Sequence, residues 1–149
     1  MNSLHIRAAE SEDIPRLAEL LAILFAQEAD FAPDRERQSR GLAAIVGNPD
    51  LGRIFCAVDA GQIVGMVSIL FTVSTAEGGR AAWLEDMIVD PDWRGQGAGR
   101  LLEHALQQAR AAGCLRVSLL TDRTNSAAMR FYRRAGFEPS QMTPFRRRL

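Results

Sequence analysis

Residues 93–100 read Trp-Arg-Gly-Gln-Gly-Ala-Gly-Arg, a glycine-rich stretch with an arginine on each side of its glycines. It follows an apolar, strand-like segment and precedes apolar residues at helical spacing. Glycines at alternate positions allow a tight turn and a close approach of the backbone to a ligand. The N–H groups and the dipole at the start of a helix favour an anion, and Arg94 and Arg100 add positive charge. The stretch therefore predicts a strand-turn-helix unit that cradles a pyrophosphate, with a merely tight connection as the alternative.

The spacing of these glycines excludes two common phosphate-binding motifs. Arg100 stands where the dinucleotide fingerprint G-x-G-x-x-G needs its third glycine, and the chain has no lysine for a Walker loop. The absence of lysine also excludes Schiff-base and pyridoxal-phosphate chemistry.

The formal net charge of zero is the balance of two opposed halves. Residues 1–93 hold 15 acidic residues and 7 arginines, whereas residues 94–149 hold 11 arginines and 3 acidic residues. The halves therefore carry −8 and +8. Such a split favours one surface for an anion and another for a cation.

The composition is that of an ordinary globular protein, since 47% of the 149 residues are apolar and 24% are charged. Cys56 and Cys114 lie in apolar contexts without a CxxC pair, so we expect buried, reduced thiols. His5 and His104 stand at no ligand spacing from a cysteine or carboxylate, and we expect no metal site. The N-terminus lacks the apolar segment of a signal peptide, and residues 63–73 are too few to span a bilayer. A soluble, cytoplasmic protein that does not bind membranes is expected.

Before the glycine-rich stretch, the apolar pattern predicts antiparallel strands and two helices. The predicted elements are a strand at 4–8, a helix at 14–28, a helix ending near residue 47, a hairpin of strands at 54–58 and 63–73, and a strand at 82–89. The apolar parity of the last strand slips between Leu84 and Met87. A slip of this kind predicts a β-bulge, and bulges are frequent beside binding sites.

Beyond residue 91, helices and strands alternate. The apolar pattern predicts a helix closed by Gly113, a strand at 115–120, a helix closed by Gly136, and a terminal strand or hairpin over 137–149. We therefore expect one α/β domain, with antiparallel strands first and a parallel βαβ unit later.

Three motifs between residues 83 and 137 carry a resemblance to a known family. They are Leu-Glu-Asp-Met-Ile-Val-Asp-Pro at 84–91, R-x-x-G-x-G at Arg94, Gly97 and Gly99, and Asn-Ser-Ala-Ala-Met-Arg-Phe-Tyr at 125–132. With the order of the elements, they resemble the GNAT superfamily of acyl-CoA-dependent N-acetyltransferases. The resemblance implies a single N-acetyltransferase domain over 1–149, of the α/β (α+β) class. Its mixed, mostly antiparallel sheet would have six to seven strands flanked by about four helices.

The resemblance also implies a binding site for acetyl-CoA, the acyl donor. The backbone of Met87, Ile88 and Val89 would pair with the pantetheine arm as an added strand would. Asn125 and Ala128 match positions that meet the coenzyme near the last helix. The pyrophosphate would be held by Arg94, Gly95, Gln96, Gly97, Ala98, Gly99 and Arg100.

Catalytic roles follow from the same resemblance and from the chemistry of amine acetylation. Tyr132 matches the tyrosine that protonates the leaving thiolate; packing beside Phe131 is the alternative. An amine attacks a thioester only as its free base, so Glu85 is the candidate general base, acting through water, with Asp86 adjacent. Strand alternation places these two side chains on opposite faces unless the bulge intervenes, and either could instead cap a loop or pair with an arginine. A backbone N–H of Met87 or Ile88 is the candidate for stabilising the oxyanion. Direct transfer in a ternary complex needs no protein nucleophile.

The acceptor is predicted from four residues and from local charge. Trp-Leu-Glu-Asp at 83–86 resembles the motif of the diamine and polyamine branch, and also that of a histone-acetylating branch. Glu28, Asp30 and Asp34 follow the first helix, where family members shape the acceptor site, and would attract a cationic amine. We expect a small diamine-like or polyamine-like acceptor. An amino acid, an aminoglycoside-like compound, and a protein N-terminus or lysine are alternatives.

Two alternatives to an enzyme also stay open: a non-catalytic acyl-CoA sensor and a nucleotide-binding protein with the same cradle. No nucleic-acid partner is expected, because the basic residues 146–148 lack the interleaved aromatic residues that stack on bases. The resemblance allows a homodimer, since the family often pairs through its terminal strands.

Overall fold

Four α-helices and five β-strands build the described part of the chain, residues 4–93 and 95–149 of a computed structural model. They are β1 (His5–Ala8), α1 (Ile14–Gln27), α2 (Arg35–Val46), β2 (Gly52–Asp59), β3 (Gln62–Ser74), β4 (Gly79–Val89), α3 (Ala98–Ala111), β5 (Val117–Leu119) and α4 (Ser126–Arg134). The strands form a sheet in the order β1-β2-β3-β4-β5. The first four are antiparallel, and β5 lies parallel to β4 after the α3 crossover.

The sheet separates two apolar clusters, because successive side chains of a strand point to opposite faces. On one face, fully buried Leu17 and Leu20 of α1 pack against Met66 of β3. On the other face, fully buried Leu101 and Leu102 of α3 pack against Val67. Both helices show the apolar spacing that the sequence predicts for a helix that covers a sheet.

The loop between α1 and α2 is fixed by a buried side chain of α2. Gln38 Nε2 donates a hydrogen bond of 2.8 Å to the Ala18 carbonyl, and Gln38 Oε1 accepts one of 2.7 Å from the Asp34 N–H. Asp34 is also the N-cap of α2, since its carboxylate accepts from the Arg37 N–H at 3.1 Å. The end of this loop therefore has a defined position relative to α1.

The expected number of strands is wrong, since the sheet has five within the described residues rather than six to seven. The terminal strand predicted for 137–149 is absent from the described structure, and β5 is only three residues long. The large apolar residues Phe145 and Leu149 of this segment are exposed. Pro139 and Pro144 lack the N–H that a sheet ladder needs. Without buried side chains or a paired edge, this segment gains nothing from an extended ladder.

The other predicted elements, the four helices and the strands of the 52–89 meander, are confirmed. Across the described residues, no helix combines the length and the apolar character needed to cross a membrane.

Candidate active site

A β-bulge in β4 brings two carboxylates to one place. Ser68 of β3 pairs with Asp86 and Ile69 pairs with Leu84, so Glu85 is the extra residue of the bulge. Ser68 Oγ accepts a hydrogen bond of 3.2 Å from the Asp86 N–H. The predicted bulge is confirmed. The bulge also interrupts the strand alternation that would place Glu85 and Asp86 on opposite faces, and both residues line the same cleft.

This cleft, here called the carboxylate cleft, has a volume of about 840 Å³, which suits a small molecule. Its apolar wall comes from α1, α2 and β3. Asp30 and Asp34, predicted on the acceptor side, lie in its lining. The remaining polar groups were not predicted: Arg37 and Gln38 of α2, Ser68 of β3, and Arg148 near the C-terminus.

The carboxylates of this region interact with one another and are partly removed from water. Burial, followed by the negative charges of Glu85 and Glu28, raises the pKa of Asp86 to about 7. Burial also raises the pKa of Glu28, and the charges of Asp122, Glu85 and Asp30 add to this effect. A carboxyl group with a pKa near 7 can accept a proton at neutral pH and release it again.

One edge of β4 is open beyond the bulge. The parallel pairing of β4 with β5 covers residues 82–84 and ends at Leu84 and Leu119. Residues 87–89 pair with β3 on their other side, and within the described chain β5 does not continue beside them. Ile88 and Val89 are buried, so these residues offer their backbone rather than their side chains to a ligand. This is the edge on which the family resemblance implies that the pantetheine arm would pair as an added strand does.

The turn that leads into α3 and the first residues of that helix, residues 95–100 and here called the α3 turn, follow this edge in the chain. Gly97 is the N-cap of α3 with φ of 88°, a left-handed conformation that favours glycine. Gly99 is different, because it lies inside the helix and a Cβ there would meet nothing within 4 Å. The fold does not require glycine at position 99.

Arginines at positions 94 and 100 were predicted to flank the glycines with positive charge. Arg100 donates a hydrogen bond of 3.3 Å to the Leu4 carbonyl, so its guanidinium is directed toward the start of β1. Arg94 lies outside the described residues.

Three residues with predicted roles lie in α4 or at its N-cap: Asn125, Ala128 and Tyr132. Asn125 is the N-cap of α4, and its side chain accepts a hydrogen bond of 3.1 Å from the Ala128 N–H. This bond gives Asn125 a structural task in addition to the predicted contact with the coenzyme. Tyr132 packs edge-on against Phe131 and Phe137, with ring centroids 5.3 and 5.7 Å away. Burial, followed by the charge of Glu28, raises the pKa of Tyr132 to about 12.

The two cysteines lie within the described residues, 4–93 and 95–149, and differ in their exposure. Cys56 is buried, and burial raises its thiol pKa to about 12. Cys114 is partly exposed, which differs from the expectation of two buried thiols. No group of three or more metal-ligating side chains occurs in this part of the chain.

The described residues thus combine a sheet whose β4–β5 pairing ends at Leu84 and Leu119, a glycine-rich helix start and a carboxylate cleft. The chain belongs to the acetyltransferase (GNAT) family, whose sequence pattern matches residues 14–137. It is an acyltransferase of the N-acetyltransferase type.

Three similar proteins illustrate the relationship. Glucosamine 6-phosphate N-acetyltransferase of Trypanosoma brucei brucei is 32% identical over 143 residues, covering 90% of this chain and 88% of the relative. Aminoalkylphosphonate N-acetyltransferase of Salmonella typhimurium is 30% identical over 136 residues, covering 91% and 85%. An integron cassette protein from the mobile metagenome of Cole Harbour Salt Marsh superposes with a TM-score of 0.83 at 30% identity, covering 97% and 90%.

Proposed function

We propose that residues 1–149 form one acetyl-CoA-dependent N-acetyltransferase domain that transfers an acetyl group directly to a small primary amine. One observation carries this proposal: the bulge in β4 separates an open backbone edge at 87–89 from a cleft lined by Glu85 and Asp86. Donor and acceptor would thus meet at adjacent positions of the same strand. Holding two reactants side by side is a large part of what catalysis of a bimolecular transfer requires.

The donor side is proposed to bind acetyl-CoA through backbone groups. The family uses acetyl-CoA as its cosubstrate. The free edge of Met87, Ile88 and Val89 is suited to pair with an extended amide-containing chain. Gly97 leaves the first N–H groups of α3 uncapped by a side chain, and the absence of a Cβ at Gly99 lets a diphosphate approach them. The residues proposed to contact the diphosphate are Arg94, Gly95, Gln96, Gly97, Ala98, Gly99 and Arg100; Asn125 and Ala128 are proposed to meet the coenzyme beside α4.

The acceptor amine must lose a proton before its nitrogen lone pair can attack. Glu85 is the proposed general base, acting through water, and Asp86 is its immediate neighbour in the carboxylate cleft. Because burial and neighbouring charges raise its pKa to about 7, Asp86 is proposed to accept the proton that Glu85 removes from the amine. The attack forms the C–N bond, and collapse of the tetrahedral intermediate breaks the C–S bond. A backbone N–H of Met87 or Ile88 is proposed to stabilise the oxyanion between these steps.

The leaving thiolate needs a proton, and Tyr132 is proposed to supply it. With a pKa raised to about 12, its phenol is protonated at neutral pH. The rings of Phe131 and Phe137 hold its position from two directions. The electrostatic effect of Glu28 on both Tyr132 and Asp86 supports a location of the phenol near the carboxylate cleft.

The acceptor is proposed to be a small molecule whose ammonium form is attracted by the carboxylates. This charge supports a cationic amine, as in the predicted diamine-like or polyamine-like class. Two relatives act, by their names, on small amines: glucosamine 6-phosphate and an aminoalkylphosphonate. These names support a small acceptor over a protein.

Two measurements test the proposal. Thermal shifts with acetyl-CoA, coenzyme A, ATP and NAD should show stabilisation by the first two alone. Release of free thiol from acetyl-CoA across a panel of amines should then show turnover. Stabilisation by ATP or NAD in preference to acetyl-CoA would overturn the transferase assignment, and binding of acetyl-CoA without turnover of any amine would favour the acyl-CoA sensor.

A further inference from the structure

The C-terminal segment carries an arginine into the carboxylate cleft although it forms no regular element. Arg146 Nη1 lies 2.9 Å from Asp30 Oδ2, and its guanidinium stacks 5.1 Å from the centroid of the Phe31 ring. Phe31 in turn packs on Phe25, with ring centroids 5.6 Å apart. This ion pair and ring contact, here together called the Arg146 clip, join the segment to the loop that follows α1. Two residues further along, Arg148 lines the cleft.

The charges around the cleft are unequally compensated. Asp30 is paired with Arg146, and Asp34 is paired with Arg37 at 3.5 Å. Among the described residues, neither Glu85 nor Arg148 has an ion-pair partner within 4.0 Å. The lining therefore presents uncompensated negative charge at the bulge and uncompensated positive charge from the C-terminal segment.

A ligand that complements this lining must carry two charges of opposite sign. Its ammonium group matches Glu85 and Asp86, whereas an acidic group matches the guanidinium of Arg148. Guanidinium groups bind phosphate, phosphonate and carboxylate through paired N–H donors. The carboxylates considered alone favour a diamine, but a diamine would place its second ammonium group against Arg148, where like charges repel.

We infer that the acceptor is a small amine bearing an acidic oxyanion group, and that Arg148, held by the Arg146 clip, is the residue that selects it. The inference rests on the proposed function, since it assumes that the carboxylate cleft binds the acceptor. The shared chemistry is an amine linked to a phosphate, phosphonate or carboxylate.

The test uses the 149-residue chain and compares four amines of similar size: 2-aminoethylphosphonate, β-alanine, propylamine and 1,4-diaminobutane. Arg148→Ala should raise the KM for the preferred acidic amine about tenfold or more while kcat is retained. The KM for propylamine should change less than about twofold. Arg148→Lys should recover part of the loss, because it restores the charge without the fork of donors.

Two further variants separate a specific role from a general loss of positive charge. Arg147→Ala is the matched control, since Arg147 is the exposed neighbour that does not line the cleft, and its KM values should match those of the wild type. Arg146→Ala should raise the KM for the acidic amine by a smaller factor than Arg148→Ala, because it loosens the clip. Equal effects of Arg147→Ala and Arg148→Ala would overturn the inference.

The outcomes distinguish failure of the inference from failure of the proposed function. Turnover of 1,4-diaminobutane in preference to both acidic amines overturns the inference and leaves the transferase intact. Absence of both acetyl-CoA binding and thiol release overturns the proposed function. In that case calorimetric titration of the acidic amines still decides the role of Arg148: binding weakened by Arg148→Ala and not by Arg147→Ala supports it, and no binding overturns it.

Discussion

The two sides of β4 are built from different parts of the chain. The proposed donor side is almost continuous in sequence, since it would consist of the β4 edge at 87–89 and the α3 turn at 95–100, and it offers mainly backbone groups. The carboxylate cleft instead gathers side chains from α1, α2, β3, β4 and the C-terminal segment. Its lining spans residues 21 to 148. A backbone-built site tolerates changes of side chain, whereas a side-chain-built site can change its ligand through a single substitution.

This difference predicts that substitutions on the two sides affect different kinetic constants. Changes at the α3 turn should alter the binding of acetyl-CoA, and changes in the carboxylate cleft should alter the use of the acceptor. Tyr132 is the exception. Its proposed proton acceptor, the leaving thiolate, belongs to the donor, whereas the charge of Glu28, on the proposed acceptor side, raises the pKa of its phenol.

The largest effect is expected for Tyr132→Phe. The substitution keeps the ring packing against Phe131 and Phe137 and removes only the proton donor. We expect kcat to fall about 100-fold, the range of general acid catalysis, while the Kd for acetyl-CoA stays within about twofold of the wild type. Single-turnover thiol release and calorimetry measure the two quantities. An unchanged kcat would reject Tyr132 as the acid.

The next effect is expected for Gly99→Glu. A carboxylate near the N-terminus of α3 would repel a diphosphate, so the Kd for acetyl-CoA should rise about 30-fold. The free energy of unfolding should rise by about 0.5–1 kcal/mol, because glycine is a poor helix former and the acidic group suits this end of the helix dipole.

Gly41→Glu is the matched control for this variant. Gly41 lies in α2, a Cβ there would also meet nothing within 4 Å, and it lines the carboxylate cleft. The control should leave acetyl-CoA binding unchanged and alter the KM of the acceptor. If both variants changed the same constant, the division between the two sides would be wrong.

A smaller effect, with a characteristic pH dependence, is expected for Asp86→Asn. The wild-type kcat/KM should rise as the pH passes through about 7, where Asp86 ionises, and the variant should lose this limb together with about tenfold in rate at pH 8. Glu85→Gln is the comparison variant. A pH profile that shifts with Glu85→Gln and not with Asp86→Asn would assign the proton transfer to Glu85 alone.

The same substitution should stabilise the folded protein at high pH. The unfolded Asp86 carboxyl ionises near pH 4, whereas in the folded state its pKa is raised to about 7. The resulting penalty is absent below pH 4, grows between pH 4 and 7, and is complete above pH 7. We expect Asp86→Asn to raise the free energy of unfolding by about 1–2 kcal/mol at pH 8 and to leave it unchanged at pH 4. Urea denaturation at the two pH values checks this.

The contrast between the two sides also explains what the sequence could predict. The α3 turn is a contiguous pattern of glycines between a strand and a helix, so its structure was predictable from local rules. The bulge was predictable because it interrupts the parity of apolar residues between Leu84 and Met87. Which face the bulge assigns to Glu85 and Asp86 depends on the register with Ser68, and that register is a tertiary property.

The carboxylate cleft could be predicted only in part. Glu28, Asp30 and Asp34 were recognised as acidic residues after the first helix, but no local signal connects them with Arg148. The predicted terminal strand or hairpin over 137–149 was wrong for the same reason, since the local sequence cannot show whether a sheet edge is available for pairing. Gln38 was missed because a glutamine in a helix is ordinarily exposed, whereas this one is 6% exposed.

The smallest effect is expected for Gln38→Leu, which tests whether the cleft depends on its supporting hydrogen bonds. Leucine is similar in size but can neither donate to the Ala18 carbonyl nor accept from the Asp34 N–H. The buried Ala18 carbonyl and the part-buried Asp34 N–H would each lose this partner, so we expect a loss of about 1–2 kcal/mol in the free energy of unfolding.

The kinetic consequence of Gln38→Leu should be confined to one substrate. Asp34 and the loop after α1 would lose a fixed position, and this loop carries the Asp30 partner of Arg146. The KM of the acceptor should therefore rise about three- to fivefold, while the KM of acetyl-CoA stays constant because the α3 turn makes no use of this loop. Urea denaturation and initial rates measure the two effects. A change in the KM of acetyl-CoA alone would show that α2 supports the donor side, and the two sides of β4 would then be mechanically coupled rather than independent.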